Sequence, residues 1–171
     1  MHIEHFHFDQ AQLRLQLLPI LGGQVFHVTT AAGYEGVIED GYIDSNVDGR
    51  CSSVNQSEVS YFRNNGDVCL IDLRSVTEED LDLALEKFNF LNPGNSNVGF
   101  FLVLSSSAYS RLKPRPVRGE DGYSEQVVPF VEVGFPHSVS LNLITRVLRV
   151  AIEKAPDSPF LEALRKSQAG S

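Results

Sequence analysis

The sequence predicts a single α+β domain built on a mixed β-sheet. The chain has 171 residues, which is the size of one domain. Its composition, 42% hydrophobic and 21% charged, is typical of a protein with a packed core and excludes disordered and fibrous classes. The helix and strand patterns do not alternate regularly, so a doubly wound parallel fold is not expected.

The first part of the chain mixes strand and helix periodicities. In order, the patterns predict an alternating strand in HIEHFHF, a helix over 9–18 capped by Asp9 and ended by Pro19, a strand over 24–28, a helix from Thr29 or Thr30 to Gly41, and a short extended piece at 42–43. The polar residues 44–66 then predict a long loop. Loops of this length in a compact domain are usually functional or mobile.

The second part contains the strongest strand signals. In order, the patterns predict buried strands over 67–74 and 98–104, a helix from Thr77 to residue 91 between them, a loop over 105–124, a strand over 125–133, a strand over 146–152 and a terminal helix over 159–166. Pro129 places the strand over 125–133 near an edge or a bulge. We expect one domain over 1–171 with its core at about 24–153 and the terminal helices peripheral.

Charge and cysteine content limit the function classes. The formal net charge of −8 argues against non-specific binding to duplex nucleic acid. Two cysteines do not make a disulfide framework, and Cys69 lies in an apolar run typical of a buried thiol. The N-terminal residues lack the pattern of a signal peptide, and no apolar run is long enough to cross a bilayer, so we expect a cytoplasmic protein without a membrane partner.

The segment FHVTTAAGYEGVIEDGYI contains a histidine at the end of a predicted strand, followed by a helix. By itself His27 is most simply a core or strand-end histidine, and Thr29 and Thr30 are helix caps. The whole segment, however, resembles the opening strand and helix of the diphtheria-toxin-like ADP-ribosyltransferase superfamily. It is especially similar to bacterial toxins that modify nucleic acids. The resemblance implies a mixed, split β-sheet.

A second resemblance lies in SEQVVPFVEVGFP, where the family's late strand begins with its catalytic glutamate. Glu125 fits that place, 98 residues after His27. Without the resemblance, Glu125 is a solvated carboxylate at a strand start. Glu132 is the rival carboxylate, and in an undisturbed strand it faces the side opposite to Glu125. A bulge at Pro129 would change that relation.

The resemblance implies cleavage of the nicotinamide–ribose bond of NAD, which is a substrate, with no metal. A carboxylate stabilises the oxocarbenium-like transition state and accepts a proton from the acceptor. The resemblance implies that Glu125 takes both roles and that His27 holds the ribose. By the same resemblance we expect Thr29 to support the adenylate, Tyr61 to stack on the nicotinamide and Arg63 to meet the pyrophosphate.

Other residue groups have simpler interpretations. His2, His5 and His7 have the residue type of a zinc site, but an alternating strand with exposed imidazoles explains them better. Cys51 lacks the partners of a cysteine nucleophile. The basic run at Arg111, Lys113, Arg115 and Arg118 is either a solvated loop or an acceptor-facing loop that contacts phosphates, with Tyr109 and Tyr123 able to stack on a base.

The sequence therefore predicts an NAD-dependent mono-ADP-ribosyltransferase. The resemblance alone implies a bacterial toxin of a toxin–antitoxin or phage-defence (antiviral) system, with a cognate antitoxin protein as partner. RNA or DNA is narrowly favoured as the acceptor over protein. Two alternatives stay open: an inactive nucleotide- or partner-binding module of the same fold, and an enzyme similar to RNA 2′-phosphotransferases.

Overall fold

A computed structural model describes residues 2–49, 60–92, 97–114 and 128–153. Within these ranges the strands are β1 (Ile3–Asp9), β2 (Val25–Thr30), β3 (Tyr42–Asp44), β4 (Asp67–Asp72), β5 (Val98–Leu104), β6 (Glu132–Pro136), β7 (Ser138–Ser140) and β8 (Ile144–Glu153). The α-helices are α1 (Leu13–Leu21), α2 (Ala31–Asp40), α3 (Tyr61–Asn64) and α4 (Glu78–Lys87). Two 3₁₀ turns cover Ser106–Arg111 and Leu141–Leu143.

The strands form two sheets. Six of them pair in the order β1-β8-β5-β2-β4-β6, and β3 pairs with β7 in a second sheet. The β1–β8 pair is parallel and the other pairs are antiparallel. The predicted α+β class with a mixed sheet is confirmed.

Apolar side chains cover both faces of the large sheet. On one face, Phe26 contacts Phe90 and Phe101 with ring centroids about 6 Å apart, in a cluster that also includes the buried residues of α1. On the other face, the Tyr34 ring of α2 stacks on Phe100 at 4.3 Å. Burial of alternate strand residues on opposite faces thus fixes the register of β2 and β5.

The ends of α2 and α4 agree with the sequence prediction. The Thr30 hydroxyl accepts from the Gly33 N–H at 3.2 Å, and the Thr77 hydroxyl accepts from the Asp80 N–H at 3.2 Å. Gly41 ends α2 with φ +80°, a left-handed conformation that glycine adopts without steric cost.

The first helix differs from its predicted bounds. Asp9 is the last residue of β1, and its carboxylate accepts from the Ala11 N–H instead of capping the helix. Helix α1 begins later, at Leu13, and continues through Pro19. The buried Leu13, Leu17 and Leu21 recur every four residues, so their burial extends the helix past the proline.

The predicted strand over 125–133 is wrong in its bounds where the structure describes it. Strand β6 begins at Glu132, and a turn precedes it: the Val131 N–H donates to the Pro129 carbonyl at 2.8 Å, and Phe130 has φ +67°. That φ is incompatible with a strand. The loop predicted over 44–66 also contains α3, and the predicted helix over 159–166 lies outside the described residues.

Candidate functional site

Strands β2 and β4 separate in the middle of the large sheet. In the described part of the chain their ladder has two residue pairs, Val25 with Asp72 and Phe26 with Ile71. Beyond these, β2 continues on β5 as far as Thr30, while β4 continues on β6. The sheet is therefore divided between β2 and β4 from His27 onward.

His27 is the first residue of β2 after this separation. Its ring nitrogen Nδ1 lies 3.0 Å from the carbonyl oxygen of Cys69 on β4. A carbonyl oxygen only accepts, so Nδ1 carries the proton and Nε2 is the acceptor nitrogen of the neutral ring. Burial lowers the pKa of His27, and the hydrogen bond to Cys69 opposes this shift. The neutral ring is thus the favoured form near neutral pH.

Glu132 is buried at the start of β6 and accepts three hydrogen bonds. Glu132 is only 1% exposed. The Oε1 atom accepts from the Ser60 hydroxyl at 2.6 Å and from the Cys69 thiol at 2.9 Å, and Oε2 accepts from the Val128 N–H at 2.8 Å. A buried carboxylate requires such donors, because an unpaired one is strongly destabilising.

Cys69 contacts both His27, a predicted site residue, and Glu132, the rival of the predicted carboxylate Glu125. Its carbonyl contacts the His27 ring, and its thiol contacts the Glu132 carboxylate. Burial first, and the Glu132 carboxylate second, raise the pKa of the thiol well above its ordinary value, so the sulfur keeps its proton and donates a hydrogen bond to Glu132 Oε1. The structure therefore places a histidine and a glutamate against the same residue from opposite faces of the sheet: His27 pairs with Leu102 of one face, and Glu132 pairs with Ile71 of the other.

The turn before β6 encloses the carboxylate. Val128 at its start donates to Glu132 Oε2, and Phe130 at its centre is 42% exposed with φ +67°. A bulky aromatic residue rarely has a positive φ, and such strained backbone is found mainly at functional sites.

Three further predicted residues lie on β2 and α3. Thr29 is buried two residues after His27, and a Cβ on Gly33 would lie 2.1 Å from its hydroxyl oxygen. Tyr61 is half-buried, follows Ser60 directly, and packs edge-on against Phe62 at 5.2 Å. Arg63 donates from Nε to the Asn46 carbonyl at 2.8 Å, which ties α3 to the segment after β3.

Glu125, the carboxylate favoured by the sequence, lies outside the described residues, as do Cys51, Arg115, Arg118 and Tyr123. The two residues of the basic run that the structure describes, Arg111 and Lys113, both contact other parts of the protein. The Arg111 guanidinium stacks over the Phe135 ring at 4.4 Å, and Lys113 Nζ lies 2.5 Å from the buried Asp67 carboxylate. These contacts favour the structural interpretation for Arg111 and Lys113.

Sequence reasoning missed Ser60 and the link made by Cys69. Ser60 lies in the loop predicted over 44–66, and a single serine there has no distinguishing pattern. Cys69 was correctly placed in a strand, but its contact with Glu132 depends on the pairing of β4 with β6. No periodicity along one strand could reveal that pairing.

Other described features add no ligand site. Among the described residues, no group of three His, Cys, Asp or Glu side chains is arranged to hold a metal ion. His5 and His7 lie on β1, so the strand predicted for them is confirmed. None of the helices in the described ranges is both long and apolar enough to cross a membrane.

Comparisons with known proteins return no relative. No family model matches the chain, no curated protein is similar to it, and no solved structure matches it.

Proposed function

We propose that this chain is an NAD-dependent mono-ADP-ribosyltransferase whose catalytic carboxylate is Glu132. The observation that carries the proposal is that β6, a late strand, begins with a buried glutamate, Glu132, which contacts the same residue, Cys69, as His27 does. The resemblance to ADP-ribosyltransferases implies a split sheet, and β2 and β4 pair over only two residues before they separate. This supports the split-sheet interpretation.

The position of β6 favours Glu132 over Glu125. The resemblance requires a late strand that begins with glutamate, and β6 begins with Glu132. Glu132 lies beside β4, whereas Glu125 precedes the turn that leads into the strand. The family resemblance thus favours Glu132, seven residues after Glu125, as the catalytic carboxylate.

The proposed chemistry uses both residues. The C1′–nitrogen bond of NAD breaks, its electron pair leaves with nicotinamide, and an acceptor oxygen or nitrogen forms the new bond to C1′. The negative charge of Glu132 stabilises the oxocarbenium-like transition state, and the carboxylate then takes the proton of the acceptor. Neutral His27 accepts a hydrogen bond from a ribose hydroxyl at Nε2.

The burial of Glu132 sets a condition on this proposal. A carboxylate that is 1% exposed reaches the ribose only when the groups that cover it move aside. In the described ranges Oε2 has one donor, Val128 N–H, which belongs to the turn before β6. Movement of that turn would release this hydrogen bond.

The same burial favours a second candidate, an inactive nucleotide- or partner-binding module. In that case Ser60, Cys69 and Val128 hold Glu132 only as a structural carboxylate. Such a module binds NAD or a partner without turnover.

One assay separates the two candidates. The purified chain is incubated with NAD, alone and with RNA, DNA or a protein extract, and free nicotinamide is measured. We expect nicotinamide release that depends on the chain. Binding of NAD without release under any of these conditions identifies the inactive module and overturns the transferase. The toxin role and a neutralising antitoxin, with a nucleic acid as the favoured acceptor, are parts of the same proposal and follow only if release is observed.

A further inference from the structure

Strand β1 forms one edge of the six-stranded sheet. It pairs with β8 over seven consecutive residues, from Ile3 with Val147 to Asp9 with Glu153, without a register shift. In the described ranges its other side has no strand partner. Alternate backbone N–H and C=O groups of a strand point to each side, so this edge presents a row of hydrogen-bonding groups.

This edge has few of the features that normally prevent strand pairing. Protective features include charged side chains, above all lysine, as well as proline, bulges and short strands. The sequence of β1, IEHFHFD, contains neither lysine nor proline, and its pairing with β8 is regular. Its one inner charged residue, Glu4, is neutralised by two hydrogen bonds from Arg146, at 2.8 and 2.9 Å.

The opposite edge of the sheet is different. The outer side of β6 is bridged at Gly134 by Lys113, whose N–H donates to the Gly134 carbonyl at 2.8 Å. In the described ranges, therefore, the edge at β6 is bridged by the chain itself, whereas the longer, regular edge at β1 has no strand partner on its outer side.

The side chains of β1 are complementary to a second, antiparallel copy of the same strand. A two-fold axis at His7 places His5 opposite Asp9 of the second copy, and Phe6 opposite Phe8 of the second copy. His5, His7 and Asp9 are exposed, whereas Phe6 and Phe8 face the apolar core and stack at 5.7 Å. A histidine opposite a carboxylate can donate a hydrogen bond to it, and aromatic cross-strand pairs stabilise antiparallel sheets.

We propose that β1 is the interface of a two-fold homodimer, in which two copies of this strand pair antiparallel about His7 and join the two sheets into one. A two-fold interface must be self-complementary. Asp9 lies two positions after the dyad residue His7, and His5 lies two positions before it, so each copy of the strand presents a partner to the other. The proposal is independent of the proposed enzymatic activity.

Sedimentation equilibrium of the whole chain and of His7→Lys over a range of concentrations tests the interface. Lysine at position 7 places two positive charges against each other on the dyad, yet it remains within reach of Glu153, beside which His7 lies at 3.7 Å. We expect a dimer in the original chain and at least a tenfold weaker dimer in His7→Lys. The control Gln16→Lys adds the same charge at an exposed site on α1 and should not weaken the dimer. A monomer at every concentration, or a dimer equally strong in His7→Lys, overturns the proposal.

Cysteine cross-linking tests the register. In a Cys51→Ser background, His7→Cys should form a dimer through a disulfide under mild oxidation, because directly opposed residues of an antiparallel pair have Cα atoms at the separation that a disulfide requires. His5→Cys should cross-link much less. Preferential cross-linking through position 5 overturns the register. Hydrogen exchange adds a control: a monomer whose β1 amides are all protected would mean that another segment of the same chain occupies the edge, which also overturns the proposal.

Discussion

The Ser60 hydroxyl donates a 2.6 Å hydrogen bond to Oε1 of Glu132, which joins the start of α3 to the start of β6 across 72 residues of chain. Both residues are buried, at 7% and 1% exposure. This contact places α3, with Tyr61 and Arg63, beside the carboxylate that we propose to be catalytic.

Ser60→Ala is expected to destabilise the fold. The substitution removes one donor to a buried carboxylate, and a hydrogen bond to a charged group contributes about 1.5–3 kcal/mol. Urea unfolding should show a loss in this range. Ser75→Ala, at an exposed position, serves as the control and should change the free energy of unfolding by less than about 0.5 kcal/mol. Equal effects of the two variants would contradict the buried contact.

Glu132→Gln is expected to abolish most of the proposed activity. Glutamine keeps the size of the side chain but has no negative charge and cannot take a proton, so nicotinamide release should fall at least about a hundredfold. NAD binding should be retained, and unfolding by urea should verify that the variant is folded under the assay conditions.

Two matched variants accompany Glu132→Gln. Glu86→Gln, on the exposed side of α4, should leave the rate unchanged. Glu125→Gln distinguishes the two carboxylates singled out from the sequence. If Glu125→Gln loses activity while Glu132→Gln keeps it, our assignment of the catalytic residue to β6 is wrong.

Burial of His27 predicts a pH dependence of stability. Its pKa in the folded chain lies below the ordinary value of 6.5, so the unfolded chain binds more protons between these two values. The free energy of unfolding should therefore be fully retained above about pH 6.5 and should fall as the pH is lowered toward the folded pKa.

The comparison with His27→Gln isolates this contribution. Glutamine does not titrate and can still donate to the Cys69 carbonyl, so its stability should vary less with pH than that of the original chain between pH 5 and 7.5. Urea unfolding at several pH values measures both curves. Parallel curves would show that another group causes the dependence.

Gly134→Ala is expected to destabilise the fold because the added Cβ would come too close to the Phe62 ring. A Cβ at Gly134 on β6 would lie 2.2 Å from Cδ1 of the buried Phe62 ring, and overpacking of a core typically costs about 1–3 kcal/mol. Gly36→Ala is the matched control, because nothing lies within 4 Å of the added atom and alanine is favoured in a helix by about 1 kcal/mol. Thermal unfolding should move in opposite directions for the two variants.

Local sequence patterns determined the positions of those helices and strands whose buried residues recur at a regular spacing along the chain. The helix from Thr30 to Gly41 and the strand Val98–Leu104 have the predicted positions, because the hydroxyl cap, the glycine stop and the continuous apolar run act through neighbouring residues. The α+β class follows from the order of such elements. His27 was placed on a strand for the same reason, but the prediction that it ends the strand is wrong, because β2 continues on β5 as far as Thr30.

Tertiary structure alone decided the candidate site. The contacts of Ser60 and Cys69 with Glu132 join residues that are 72 and 63 positions apart, respectively, and they depend on which strands are neighbours. The start of β6 was misplaced because the alternation of apolar residues continues through Pro129, whereas the positive φ of Phe130 turns the backbone there. Sequence periodicity indicates which side chains are buried. Strand pairing and backbone strain arise from contacts between distant segments of the chain. Those contacts placed Glu132 beside Cys69 at the division of the sheet.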